Sequence, residues 1–190
     1  MTTRLRLALL VAALAALAIS VALATRTSAS EKGSLTRLSN KGRVVALHGG
    51  ALDRPVGATE AFLLAVRGAR AYYRVDGQDG PCIAAGPAGD PGELGTIQCP
   101  RGGFPTAERP VVDLSVYEST SHVRGELSLY RVAGVAADGV ASVAFLRPDG
   151  SIALRVPVTG NVFASNSVPA GPIAGVVALD SGGKQLWRSP

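Results

Sequence analysis

The chain has 190 residues, 47% of them hydrophobic and only 17% charged, which suits one buried core plus a terminal appendage. The formal net charge of +5 invites a nucleic-acid partner, but residues 44–190 hold 12 Lys and Arg against 13 Asp and Glu, a net −1. A nucleic-acid surface carries its basic patch on the folded body among stacking aromatics. Aromatics make up only 5% here, so no nucleic-acid partner is expected.

The N-terminus opens with Arg4 and Arg6, and Leu7 to Ala24 follow as an apolar run broken only by Ser20. This pattern marks a targeting segment, residues 1–29, acting as a signal peptide or a signal anchor. Ala22-Leu23-Ala24 offers a small-x-small cleavage site, and Thr27-Ser28-Ala29 a weaker one. Residues 25–43 carry five Lys and Arg, more than the two before the run. Positive charge usually stays on the cytoplasmic side, so a cleaved peptide fits better than an anchor. Residues 30–41 read as a flexible basic linker, rich in Ser, Thr and charge. Membrane contact is expected only through residues 1–24, with that linker as the one further candidate. The expected location is extracytoplasmic, either secreted or anchored, and the expected partner an envelope or extracellular component.

From residue 42 to 190 the sequence predicts a single β-rich domain. "RVVALH" (43–48) is a short strand. "AFLLAV" and "AYYRV" flank a hairpin turn at Gly68, with a helix over 58–67 as the competing reading. Cys82 and Cys99 are the two cysteines, and an even count in an exported chain favours a disulfide. Zinc would need two further ligands, and His48 and His122 lack ligand spacing; a redox pair would show C-x-x-C. Between the cysteines, Gly86, Gly89, Gly92 and Gly95 recur every third residue, and the segment reads as a string of turns. Closing such a loop is worth roughly 3 kcal/mol.

"VVDLSVYE" (111–118) alternates, with Val112, Leu114 and Val116 facing one way and Asp113 the other. "ELSLYRVAGV" (126–135) is a further strand. "GVASVAFLR" and "SIALRVPV" flank "PDG" (148–150), in which Pro sets φ, Asp braces the turn and Gly takes the left-handed conformation. In the second arm, Ile152, Leu154, Val156 and Val158 are expected on one face, opposite Ala153, Arg155 and Pro157. "TGN" turns the chain into "NVFASN", and "IAGVVALD" pairs with "KQLWR" across "SGG". The predicted fold class is mainly β: an antiparallel sandwich or barrel-like meander with one disulfide, preceded by an N-terminal hydrophobic helix. Trp187 reads as a core or sheet-closing residue.

Catalytic motifs are sparse. "HGG" (48–50) resembles an oxyanion loop, but no G-x-S-x-G elbow accompanies it, and H-E-x-x-H, Walker and dinucleotide motifs are absent. Asp113, Glu118 and Glu126 are the carboxylates that would have to pair in a glycosidase, and solvated side chains are the simpler reading. His122 lies in a predicted loop with no nameable partner. No catalytic, cofactor-binding or metal residues are assigned, and no cofactor is expected. The segments "GPC…QCP", "FPTAERPVVDLSV", "VAADGVASVAFL" and "VPVTGNVFA" resemble uncharacterised exported β-rich proteins of actinobacterial type. That resemblance spans roughly residues 60–180. It implies export and a single β-rich domain, and transfers no activity. The expected function is a non-catalytic binding or structural role at the cell envelope; the alternative is a small envelope hydrolase using His48 or His122 with a carboxylate.

Overall fold

The structure, a computed structural model, describes residues 34–48, 58–77, 80–119 and 127–189. The chain divides into two units, Met1–Ser34 and Leu35–Pro190. All the described strands belong to the second. The expected signal segment and N-terminal helix, His122 and Glu126 lie outside the described residues, as do the glycines of "HGG". Among the described residues no helix is long and apolar enough to cross a membrane.

Among the described residues, antiparallel strands build three sheets. The first is ordered β1 (Arg43–Ala46), β2 (Glu60–Arg67), β3 (Arg70–Gly77), β4 (Gly80–Pro87) and β5 (Thr96–Gln98). Glu60–Arg67 therefore takes the strand form, and the helix reading of 58–67 falls. β-Branched and aromatic residues on both sides of the turn at Gly68 favour this, since they fit a pleated surface. The second sheet sets β8 (Leu127–Ala136) between β11 (Val162–Ser165) and β6 (Val111–Asp113), with β7 (Val116–Ser119) also paired to β8. The third runs β10 (Ile152–Pro157), β9 (Ser142–Leu146), β12 (Gly175–Leu179), β13 (Gln185–Arg188).

The core explains the layering. One apolar cluster joins Leu64, Tyr72, Ile83 and Ala85 of the first sheet to Val112, Ala133, Val135 and Val162 of the second. Another joins Val111, Val132, Ala136 and Phe163, on the second sheet's opposite face, to Val143, Phe145, Val156 and Val176 of the third. Around Val111, Val112 and Val132–Ala136 the second sheet is thus buried on both faces, which is why Val111 is as buried as Val112 and alternation fades there. Further clusters lie on the first sheet's other face, around Tyr73, Val75 and Leu94, and on the third sheet's, around Leu146 and Val177.

Two local readings change. The segment after Cys82 is not all turns: Cys82 sits inside β4, whose residues Cys82–Gly86 are buried without alternation. In the hairpin, Ile152 pairs with Leu146 while Leu154 pairs with Phe145, so two residues of β10 oppose one of β9. This bulge turns Ile152 off the core face and leaves it 48% exposed, whereas Leu154 and Val156 stay with the core. The "PDG" turn forms as its residues dictate. The Gly150 amide donates to the Arg147 carbonyl, the Ser151 amide donates to Asp149, and Gly150 has φ +82°.

Residues 35–40 fall within the stretch read as a linker. Leu35 is buried in the core, the Ser39 amide and hydroxyl donate to Asp138, and the Asn40 amide donates to Asn161 Oδ1 at 3.1 Å. Asn161 holds φ +66° and donates through Nδ2 to the Ala136 carbonyl and to Asp138. The three side chains tie residues 39–40 to the turns that follow β8 and β10.

Candidate functional site

Alternation along β3 places Arg70, Tyr72 and Arg74 on the sheet face that looks toward β8. Tyr72 reaches the shared core, while Arg70 lies at the strand's first residue, beyond the apolar layer. On β8, Arg131 shares its face with Ala133 and Val135, which pack against that same layer. The two arginines meet where the layer ends. Together with Arg67 at the end of β2, Tyr72, and Ser165 and Asn166 after β11, they line a cleft of about 430 Å³.

The electrostatics of this cleft are one-sided. No Asp or Glu stands among its described lining residues, and none of its three arginines forms an ion pair among the described residues. Arg67 is partly engaged, donating to the carbonyls of Val66 and Thr159 at 3.0 and 2.8 Å. Arg70 reaches the Ala85 carbonyl only at 3.5 Å. The Nε–H groups of Arg70 and Arg131 are buried and find no acceptor among the described residues. Burial lowers the Arg70 pKa from its ordinary value, and the neighbouring Arg131 charge lowers it further. Burial raises the Tyr72 hydroxyl, although Arg70, Arg131 and Arg67 pull it the other way. Guanidinium groups keep their protons and donate in a planar fork; a tyrosine with a raised pKa also stays a donor. Such a cleft can hold and neutralise an anion.

The sequence-derived candidates lie elsewhere. Cys82 and Cys99 are bonded, with a sequence separation of 17. His48 Nε2 lies 3.4 Å from Asp90 Oδ1, so a histidine–carboxylate pair does form, but on the surface, with side chains 60% and 55% exposed. Exposed pairs of this kind contribute little to stability. The Asp113 carboxylate accepts from the Ser115 amide at 2.9 Å, an Asx-type contact beside β6. The Glu118 side chain lies outside the described residues. Trp187 is half-buried against the core, and its indole N–H donates to the Glu108 carbonyl at 2.7 Å. It borders a second hollow of about 440 Å³ with Arg109, Asp113 and the Cys99 end of the disulfide. Among the described residues no group of three or more His, Cys, Asp or Glu is placed to hold a metal ion.

Sequence reasoning missed Arg67, Arg70 and Arg131. The available signal was a charged residue at an inward position of an apolar alternation, as in "SLYRVAGV", where Arg131 precedes Ala133 and Val135 in phase. No protein-family model, curated protein or solved structure matches this chain.

Proposed function

We propose that the chain is a non-catalytic extracytoplasmic β domain, secreted or held at the membrane by its N-terminal segment, that binds a component of the cell envelope. The observation that carries this reading is the arginine cleft: a concave surface rich in donors, with no histidine or carboxylate among its described lining residues. Concave sites with convergent polar groups are the usual places for ligands. The Cys82–Cys99 bond supports the location, because thiols are kept reduced in the cytosol. The second reading, a small hydrolase, draws on the His48–Asp90 pair. Its weakness is exposure: the two side chains are 60% and 55% exposed and face bulk water.

Incubating the purified full chain with isolated cell-wall material, then sedimenting it and assaying the supernatant, separates the two readings. Binding is expected in the pellet with no soluble fragments released. Fragment release that disappears in His48→Ala would establish the hydrolase instead, and absence from the pellet would refute envelope binding.

A further inference from the structure

We infer that the cleft between Arg70 and Arg131 is a receptor for a phosphate group carried on a larger polar molecule; this deepens the binding reading above and rests on it for placing that molecule in the envelope. The body of the chain, residues 44–190, has one more acidic than basic residue. Carboxylates were therefore available to pair these arginines. Instead, among the described residues, the three guanidinium groups gather without one. Like charges drawn together and partly buried destabilise a fold unless something else neutralises them. Two buried Nε–H donors without acceptors among the described residues add to that cost. Costs of this kind concentrate where a ligand is to be bound.

The donor set selects the ligand's chemistry. A carboxylate offers two oxygens and one charge, which satisfies a single guanidinium fork. A phosphate monoester offers three acceptor oxygens and nearly two charges, which suits Arg70 and Arg131 together, with Arg67 adding charge from the rim. The cleft's volume, about 430 Å³, exceeds what a bare phosphate ion fills. The exposed Asn166 at its mouth offers an amide to a neighbouring hydroxyl. A phosphorylated polyol or sugar fits these features.

Thermal unfolding of the full chain at constant ionic strength tests this, with inorganic phosphate, glycerol 1-phosphate, glycerol and chloride as probes. Both phosphates should raise Tm saturably, glycerol 1-phosphate the more, with no response to glycerol or chloride. Arg131→Gln should keep or raise the Tm of the free protein and weaken the phosphate response at least about tenfold. Arg70→Gln should do the same and serves if the first variant fails to fold. Arg155→Gln, on an exposed position of β10, should respond like the wild type. An equal response in wild type and both cleft variants, or none in the wild type, would overturn the site. A lowered basal Tm in both variants with no change in phosphate affinity would make the arginines structural. Equal shifts from the two phosphates would restrict the ligand to free phosphate and overturn the larger molecule. No probe here is envelope material, so this site can fail while sedimentation with cell walls succeeds, and the reverse.

Discussion

The ring of Phe163 occupies the space that a side chain at position 134 would fill. The two residues are cross-strand partners on β11 and β8, and a Cβ built on Gly134 would overlap both that ring and the Val112 carbonyl oxygen. Phe163 in turn tilts against Phe145 of the third sheet, ring centroids 6.4 Å apart. The glycine is therefore a packing requirement of a sheet buried on both sides. Gly134→Ala should cost about 1–3 kcal/mol, the usual penalty for overpacking a dense core. In Gly134→Ala/Phe163→Leu the combined loss should be smaller than the sum of the single losses, because the smaller side chain vacates part of the site. Urea denaturation midpoints check this; strict additivity would mean the two positions do not share that space.

Acid should weaken the fold through Asp138. Burial raises its carboxyl pKa, but hydrogen bonds from Ser39 and Asn161, with the Arg37 charge, outweigh that and hold it below the ordinary value. The carboxylate then stabilises the folded state fully above the unfolded pKa of about 4. That contribution fades as pH drops through the lower folded value. Asp138→Asn should cost on the order of 1 kcal/mol near neutrality. Below pH ~4 its stability should fall less steeply than that of the wild type. Parallel acid profiles for the two proteins would show that the network does not bind its proton differently in the folded state.

The turn at 148–150 should be sensitive where its neighbours are not. Gly150 has φ +82°, and a β-branched side chain there is penalised by roughly 1–2 kcal/mol. Gly150→Val should lower Tm by several degrees, while Arg155→Ala, at an exposed position of β10, should leave it nearly unchanged. Differential scanning calorimetry of the two variants decides it; the opposite order of effects would mean the register is set elsewhere.

What could be read in the sequence was what is local. The "PDG" hairpin was legible because Asp149 and Gly150 each supply a turn interaction within three residues. The Ile152 bulge was not, because period-two alternation continues through it in sequence while the pairing slips in space. β4 escaped for another reason: "CIAAG" is buried throughout, so it shows no alternation. The antiparallel β character and the Cys82–Cys99 bond were legible from turn spacing and cysteine count. The arginine cleft was not. Arg70 and Arg131 lie far apart in the chain, and only the stacking of β3 against β8 brings them together.

Binding to cell walls before and after chemical removal of their phosphate groups is the most direct test of a phosphate-reading envelope domain. The wild-type chain should sediment with intact walls and lose at least about tenfold in affinity on stripped walls, and Arg131→Gln should bind both kinds equally weakly. Equal wild-type binding to intact and stripped walls, or undiminished binding by Arg131→Gln, would contradict the account.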